Sequence, residues 1–341
     1  MNDMINRRCD GLPDILTSGQ HGPKLETDVI YNMDCLEALR SLPADSINCC
    51  VSSPPYYGLR DYGADGQIGR EPTPEEYISR LITVFRELFR VLRPDGTFWL
   101  NIADSYCGSS SKAGYADPKY PKGRPGHAVS VTEKVRGCKP KDLIGIPWLL
   151  AFALRGDGWY LRNAAIWEKG NAMPESVKDR MTRSYEFVFL FAKSKSYYYD
   201  AAAIAEPVAS ATIERMKRGR GLQKYAGGAP GQTVQGMHRK RAAGEIYVET
   251  IPVFRNKRDV WRINTAPYSG AHFAAFPPKL AETCILAGCP PDGIVLDPFF
   301  GSGTAGLVAA QHGRRYIGID INAEYCRLAD ERINGSLKGG A

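Results

Sequence analysis

A glycine-rich segment near the end of the chain constrains the fold more than any other feature. The apolar run 294–296 leads into Asp297, and glycines follow at positions 301, 303 and 306 before a helix-like stretch. Asp320 stands at the end of the next apolar run. Glycines between a strand and a helix let the backbone approach a ligand closely, and a carboxylate at the second strand end accepts from ribose hydroxyls. The pattern predicts a parallel α/β sheet with a nucleotide-type ligand, although by itself it also fits an NAD site or a plain tight turn.

Two details of this segment argue against a dinucleotide. Asp297 and Pro298 stand directly before the glycines, where a dinucleotide needs room for its pyrophosphate. A sulfonium cofactor has no phosphate and is positively charged, so a carboxylate at this place attracts it. Few residues follow Gly306, because the chain ends at Ala341. A second nucleotide-binding half would therefore have to come earlier in the chain.

A second segment, Ser53-Pro54-Pro55-Tyr56, follows the apolar run 47–51. Ligands of open α/β sheets bind at the carboxyl ends of strands, which is where this segment falls. Proline has no N–H and holds the residue before it extended, so the turn presents rigid carbonyl oxygens. Such acceptors suit the amino group of cytosine or adenine, and the tyrosine offers a flat face to an extruded base. A proline-rich turn with a packing tyrosine fits the same four residues.

Positive charge is concentrated in two stretches of the chain. Residues 213–262 contain twelve Lys/Arg against four Asp/Glu, and residues 111–141 contain eight against two. Because the net charge of the whole chain is +7, the remainder is net acidic. Clustered positive charge is what a polyanion-binding surface requires, although one basic stretch alone is equally compatible with a solvated loop. Two such stretches together with the base-pocket segment favour DNA.

The hydrophobic pattern predicts strands that alternate with helices, which implies a mostly parallel sheet covered on both faces. Strands are expected at 29–34, 47–51, 97–102, 161–167, 185–192, 293–296 and 315–319, and helices at 36–40, 75–92, 142–154, 277–287, 304–312 and 323–333. Residues 1–27 are expected to form a flexible tail and residues 107–140 a long basic loop. Residues 200–262, where the pattern weakens, are expected to form an insertion.

Composition disfavours several classes of protein and site. No apolar run is long enough to span a bilayer, and the N-terminus lacks the apolar segment of a signal peptide, so the chain is expected in the cytoplasm. None of the nine cysteines forms a C-x-x-C pair, which favours reduced, buried thiols. His127, His238 and His272 show no metal-ligand spacing, so no metal site is expected.

Taken together, Ser53-Pro54-Pro55-Tyr56 and Asp297-Pro298-Phe299-Phe300-Gly301-Ser302-Gly303 resemble the catalytic and cofactor motifs of the amino-group DNA methyltransferases. The catalytic motif comes first and a basic variable region separates the two. That order resembles the β class of the family, a circular permutation of the fold. Asp34, the segment 100–105 and the segment 272–278 also look like family segments, so the resemblance covers most of residues 28–335.

The resemblance implies a Rossmann-like, S-adenosylmethionine-dependent methyltransferase fold with a circularly permuted, mostly parallel, seven-stranded sheet. Residues 28–199 and 263–335 would form the catalytic domain, and residues 200–262 the target-recognition region. The implied catalytic residues are Ser53, Pro54, Pro55 and Tyr56. The implied cofactor-binding residues are Asp34, Asp297, Phe299, Gly301, Ser302, Gly303, Thr304 and Asp320. The implied partners are double-stranded DNA and a cognate restriction endonuclease, with the enzyme a monomer or a homodimer.

The residue at the first position of the catalytic motif bears on the target base. Family members with serine there usually methylate cytosine N4, and those with Asp or Asn usually methylate adenine N6, so Ser53 favours cytosine. A hydroxyl accepts from either amine, so adenine N6 stays open on physical grounds. Ser53 and the Pro54 carbonyl are expected to hold the amino group of a flipped base for in-line attack on the methyl group, without a covalent enzyme intermediate.

Three further alternatives stay open at this point. The first is an NAD-dependent oxidoreductase, which the glycine-rich pattern alone permits. The second is a DNA-binding protein with the same fold and no activity. The third is a methyltransferase that acts on RNA or protein.

Overall fold

The computed structural model describes residues 25–58, 66–108, 137–217, 254–265 and 276–338. The strands of this part of the chain are β1 (Val29–Asn32), β2 (Ile47–Ser52), β3 (Leu92–Ile102), β4 (Tyr160–Glu168), β5 (Tyr185–Ala192), β6 (Glu206–Pro207), β7 (Phe254–Arg255), β8 (Val260–Arg262), β9 (Ile294–Asp297) and β10 (Arg315–Asp320). The helices are α1 (Cys35–Ser41), α2 (Pro74–Val91), α3 (Ile146–Gly156), α4 (Ser210–Lys217), α5 (Pro278–Gly288), α6 (Thr304–Gln311) and α7 (Ala323–Lys338).

One sheet organises the fold, with the strand order β1-β10-β9-β2-β3-β5-β4-β8. Neighbouring strands are parallel except that β5 runs antiparallel to both β3 and β4. The α/β class and the mainly parallel sheet are therefore confirmed. Strands from the two ends of the chain lie side by side, because β9 and β10 insert between β1 and β2.

The sheet has eight strands rather than the seven that the sequence predicts, and the additional strand is β8. It pairs in parallel with β4, with Val260 opposite Ile166. Trp261 is buried, and the Trp167 indole donates to the Ile263 carbonyl over 2.8 Å. Three residues inside a basic stretch are too few to show a strand periodicity, so only the pairing with β4 reveals this strand.

The long helix α2 has a clear start signal and an apolar face that packs on the sheet. Thr73 caps its N-terminus by accepting from the Glu76 N–H over 3.2 Å, and Pro74 occupies the first turn, where no N–H is needed. Its apolar positions recur at helical spacing and are buried: Tyr77, Leu81, Val84, Phe85, Leu88 and Val91. The helix consequently covers the sheet beside β2 and β3, where Phe85 contacts Phe98 with ring centroids 4.9 Å apart.

Helix α3 begins four residues later than the predicted start at residue 142. Gly145, which precedes the helix, has φ 86°, a left-handed conformation that suits glycine, and Pro147 lies in the first turn. Leu143, which the sequence assigns to the helix, instead forms an isolated bridge with Tyr106. The late start follows from the glycine and the proline, two boundary signals that outweigh the apolar pattern.

The chain divides into two compact units, one of residues 1–200 with 259–341 and one of Ala201–Arg258. In the described part of the second unit, β6 pairs antiparallel with β7, and Glu206 forms ion pairs with Arg255, Lys257 and Arg258. Most of both basic stretches, at 109–136 and 218–253, lies outside the described residues, as do residues 1–24 and 272–275. A target-recognition role for 200–262 stays a prediction.

Two expectations from composition can be compared with the described residues. The eight cysteines among them are free, and all except Cys138 are buried, as the sequence predicts. Across the same ranges, no helix combines the length and the apolarity that a bilayer crossing requires.

Candidate active site

Both predicted motifs lie at one edge of the sheet, where the parallel strands β1, β10, β9, β2 and β3 have their carboxyl ends. Strand β9 ends at Asp297, and its neighbour β2 ends at Ser52, one residue before Ser53. The buried Ser52 hydroxyl donates to Asp297 Oδ1 over 2.5 Å. Two segments that are far apart in sequence therefore meet at the edge where open α/β sheets bind their ligands.

The two carboxylates that the sequence singles out accept hydrogen bonds from the backbone of the glycine loop after β9. Asp297 Oδ1 accepts from the Phe299 N–H over 3.0 Å, and Asp320 Oδ2 accepts from the Gly301 N–H over 2.8 Å. Gly301 and Gly303 have φ 50° and 73°, which a side chain would strain. Each glycine thus occupies a turn that brings bare backbone to the carboxyl end of β9.

The second and third glycines of the pattern also permit close packing inside the protein. A Cβ on Gly303 would lie 2.8 Å from the Cβ of Ala329 on α7. A Cβ on Gly306 would lie 2.5 Å from the Phe300 ring, and one on Gly318 would also lie 2.5 Å from it. Phe300 is buried and stacks on Tyr316 with ring centroids 6.0 Å apart. Gly306 therefore permits close packing of helix α6 on the sheet rather than close approach to a ligand.

Burial makes both carboxylates of the loop costly to ionise. Desolvation raises the pKa of Asp297 to about 7, against the hydrogen bonds from Ser52 and Phe299, and the nearby Asp320 raises it as well. Desolvation also raises the pKa of Asp320, although N–H groups of Asn322 and Gly301 oppose the shift. Neither carboxylate forms an ion pair with any cation of the described residues. A cationic ligand would relieve this cost, so the site fits a positively charged cofactor.

Two other residues predicted to contact the cofactor are turned to the protein interior. Ser302 and Thr304 are buried, and Arg332 on α7 donates to the Ser302 carbonyl, the Ser302 hydroxyl and the Thr304 hydroxyl over 2.9, 3.1 and 3.0 Å. These bonds fix the loop from the α7 side. Contact of either side chain with a cofactor stays a prediction, and their observed role is to hold the backbone.

Asp34 and Phe299 flank the loop. Asp34 follows β1, the neighbour of β10, and its Oδ1 caps helix α1 by accepting from the Leu36 and Glu37 N–H groups over 2.8 and 3.2 Å. Phe299 is half-buried, with its ring edge-on to Phe85 at 6.5 Å. Both residues lie beside the predicted cofactor site. That either of them contacts the cofactor stays a prediction.

The catalytic segment is a turn in which some polar groups form hydrogen bonds to other described residues and others do not. Tyr77 donates from its hydroxyl to the Pro55 carbonyl over 2.8 Å, which anchors the turn on helix α2. Among the described residues, the carbonyls of Ser53 and Pro54 accept no hydrogen bond. Ser53 Oγ donates to Tyr56 Oη over 3.1 Å. The turn therefore offers backbone acceptors that an incoming amino group can use.

The tyrosine of this segment belongs to a polar network that the sequence did not predict. Its hydroxyl lies 2.7 Å from Glu186 Oε2 and 3.2 Å from Asn101 Oδ1. The Asn101 amide donates to the same Glu186 oxygen over 3.0 Å and to the Phe187 carbonyl over 3.1 Å. Lys169 donates to the other Glu186 oxygen. Strands β3 and β5 and the residue after β4 thus meet beneath Tyr56.

One signal in the sequence could have identified part of this network. Glu186 is the only charged residue of β5, whose other residues are apolar, and such a buried charge needs a partner. Its partners Asn101 and Lys169 carry no comparable signal, because they become neighbours only through the pairing of β3, β5 and β4.

A second group of polar residues fixes the segment after β3. Asp104 accepts from the N–H groups of Ser105, Gly145 and Ile146 over 2.8 to 3.1 Å, which caps α3. Burial raises the pKa of Asp104 despite these bonds. Arg183 donates to the Asp104 carbonyl, and Arg180 lies over the Tyr106 ring at 4.1 Å. The segment between β4 and β5 therefore brings guanidinium groups to the same edge.

Comparison with known proteins matches the sequence of this chain to one family. The family model described as DNA methylase, N6_N4_Mtase, matches residues 47–331. The Type II methyltransferase M.Cfr9I of Citrobacter freundii is 46% identical over 313 residues, which are 92% of this chain and 89% of that protein.

Two solved structures have the same fold at low sequence identity. The cytosine-N4-specific PvuII DNA methyltransferase superposes with a TM-score of 0.57 at 19% identity and covers 91% of each chain. The putative DNA modification methylase TTHA0409 of Thermus thermophilus, solved in complex with S-adenosyl-L-methionine, superposes with a TM-score of 0.54 at 20% identity, over 91% of this chain and 94% of its own.

Proposed function

The chain belongs to the N6/N4 family of DNA methylases, and on that premise we propose that it methylates the exocyclic N4 of cytosine in duplex DNA. Its cofactor is S-adenosyl-L-methionine, as for the methyltransferases of this fold. The observation that carries the proposal is the juncture of β2 and β9, where Ser52 donates to Asp297 and so joins the acceptor turn to the glycine loop. Family membership sets aside the oxidoreductase alternative.

The cofactor site is proposed at the glycine loop. Gly301 and Gly303 would let the backbone contact the cofactor, and the Asp320 carboxylate would accept from its ribose hydroxyls. Asp297, buried without a cation partner among the described residues, favours a positively charged ligand. When bound, S-adenosyl-L-methionine supplies a methyl group on a positively charged sulfur.

The target base is proposed to be swung out of the duplex into the acceptor turn. The amino nitrogen of cytosine is a poor nucleophile, because its lone pair is delocalised into the ring. Ser53 Oγ and the Pro54 carbonyl would accept its two hydrogens, which favours a pyramidal nitrogen with an available lone pair. Stacking on the Tyr56 ring would contribute about 1–3 kcal/mol, comparable with the cost of unstacking the base. Positioning then carries the transfer.

Cytosine is favoured over adenine by the serine at the first position of the motif. This preference rests on the family resemblance, in which serine at that position goes with cytosine N4 and Asp or Asn with adenine N6. Adenine N6 is the second candidate, since the Ser53 hydroxyl oxygen accepts from either amino group.

The Type II methyltransferases among the relatives support a proposal about the setting of the activity. We propose that the chain modifies specific sites as the methylating partner of a restriction endonuclease in the cytoplasm, as a monomer or a homodimer. Cations from the two basic stretches and from Arg180 and Arg183 would contact the phosphates of the duplex.

The decisive experiment is analysis of the product. Purified protein would be incubated with tritium-labelled methyl donor and unmethylated genomic DNA, and the DNA would be digested to nucleosides and separated by mass spectrometry. We expect label in 4-methylcytosine. Label in 6-methyladenine would shift the target to the second candidate, and binding of DNA without transfer would contradict the enzymatic function.

A further inference from the structure

The hydroxyl of Tyr56 is bordered by two groups that can only accept a hydrogen bond from it. Glu186 Oε2, 2.7 Å away, is a carboxylate oxygen. Asn101 presents its carbonyl oxygen at 3.2 Å, because its amide donates to Glu186 and to the Phe187 carbonyl. A phenol has one hydrogen to donate, so it must point at this acceptor pair.

That constraint passes along the chain of hydroxyls to the catalytic serine. Because Tyr56 donates towards Glu186, its oxygen is left as an acceptor for Ser53, 3.1 Å away. Ser53 then donates its single hydrogen to Tyr56, and the lone pairs of the Ser53 oxygen face the open side of the turn. An exocyclic amino group presents only hydrogens in its plane, so this direction of the hydrogen bonds is the one that receives it.

We propose that Glu186 is a positioning residue that sets the donor–acceptor direction of the Ser53–Tyr56 hydroxyl pair, so that Ser53 faces the target base as an acceptor. This inference rests on the proposed function and adds the group that makes the turn selective for an amino substrate. Glu186 acts through Tyr56 and does not itself contact the base.

Lys169 makes this arrangement depend on the charge of Glu186 and not only on its shape. The ammonium group donates to Glu186 Oε1 and lies 4.8 Å from the Trp167 ring centroid. An ammonium has no acceptor. If Glu186 were replaced by glutamine, Lys169 would retain the amide oxygen, and the amide nitrogen would face Tyr56. That amide nitrogen would also oppose the Asn101 amide nitrogen, so Asn101 would give up the Phe187 carbonyl and turn its oxygen to the glutamine and its nitrogen to Tyr56. With donors in both neighbouring positions, the phenol would accept, donate to Ser53, and turn the serine hydrogen towards the base.

The test is a set of variants in the methyl-transfer assay. Glu186→Gln should lower kcat by about tenfold to a hundredfold, because two donors would face one another at the base. The dissociation constant of S-adenosyl-L-methionine should not change. Glu168→Gln is the matched control, since this neighbouring acid lies at the end of β4 and pairs with Arg262 at 3.6 Å.

Two double variants separate positioning from a general structural effect. In a Tyr56→Phe background, Glu186→Gln should cost nothing further, because the hydroxyl through which it acts is gone. Lys169→Met combined with Glu186→Gln should recover part of the lost activity, since the amide is then free to turn its oxygen to Tyr56. An equal loss in both backgrounds, with no recovery, would overturn the proposal.

A spectroscopic readout keeps the inference testable if no transfer is seen. An ultraviolet resonance Raman difference spectrum, wild type minus Tyr56→Phe, reports whether this hydroxyl donates or accepts. We expect a donor in the wild type and an acceptor in Glu186→Gln. If Tyr56 is a donor in both proteins, the role of Glu186 is wrong and the proposed function is unaffected. If the wild type transfers no methyl group, the proposed function is wrong and the role of Glu186 can still be tested by this spectrum.

Discussion

The two halves of the active edge are built in different ways. In the cofactor half, three carboxylates accept from backbone N–H groups two residues further along the chain: Asp34 from Leu36, Asp297 from Phe299, and Asp320 from Asn322. Asp320 also accepts from the more distant Gly301 N–H. In the catalytic half, side chains bond to side chains from other strands, as Tyr56 and Asn101 do with Glu186. A short sequence motif can specify hydrogen bonds between nearby residues, whereas hydrogen bonds between distant residues form only once the sheet has formed.

Strands β2 and β9 pair directly, and a side-chain hydrogen bond joins the halves at the edge itself. Ser52, the last residue of β2, donates to Asp297, the last residue of β9, and both are buried. If the halves are as independent as their bonding suggests, variants in one should leave the other intact. Variants at the junction should disturb both.

The largest expected effect separates the halves most cleanly. Ser53→Ala removes the proposed acceptor of the base and should lower kcat by about 10²–10³-fold. Binding of S-adenosyl-L-methionine, measured by calorimetry, should be unchanged, because within the described ranges this hydroxyl bonds to Tyr56 and to no residue of the cofactor half. The control is Ser46→Ala, where the hydroxyl donates to the Pro43 carbonyl just before β2 begins. Full activity in Ser53→Ala would remove the catalytic assignment.

Ser52→Ala tests the junction. Loss of a buried hydrogen bond to a carboxylate costs about 1.5–3 kcal/mol of unfolding free energy, which urea denaturation can measure. Both kcat and cofactor affinity should fall, unlike in the preceding variant. A loss of one without the other would contradict the junction role of Ser52.

Asp320→Asn should act on the cofactor half alone. The carboxylate accepts from the Gly301 and Asn322 N–H groups with separate oxygens, and an amide can replace only one of them. We expect the dissociation constant of S-adenosyl-L-methionine to rise about tenfold, equivalent to about 1.4 kcal/mol. Saturating cofactor should restore kcat. Glu324→Gln, on the exposed face of α7, is the control, and an unchanged affinity in Asp320→Asn would contradict its role.

The last prediction concerns the dependence of stability on pH. Burial raises the pKa of Asp297 to about 7 in the folded protein from 3.8, so between these values the folded state binds more protons than the unfolded state. Stability without cofactor should therefore fall as pH rises through this window, by at most about 1.4 kcal/mol per pH unit from this group.

Asp297→Asn should remove that slope while keeping both hydrogen bonds, because Ser52 and the Phe299 N–H donate to the same oxygen, Oδ1. Denaturation of both proteins between pH 5 and pH 8 measures the difference in slope. Parallel curves would show that Asp297 is not the group responsible. Because Asp320 and Asp104 shift in the same direction, the difference between the two proteins is the relevant quantity.

The comparison also explains which predictions from sequence were correct. The strand that ends at Asp297, the helix after the glycines and the alternation that implies a mainly parallel sheet were each predicted, because their signals lie within a few adjacent residues. The start of α3 was predicted too early, because the apolar pattern of the helix also includes residues that precede Gly145. Strand β8 was missed because three residues carry no period.

By itself, the sequence determined the family, the fold class and the two segments that meet at the edge, because each is encoded by neighbours along the chain. Only the tertiary structure decided that Glu186, Asn101 and Lys169 lie beneath Tyr56. The physical reason is that strand pairing places β5 between β3 and β4. A lone acid in an apolar strand acquires its partners, and hence its role, from that order.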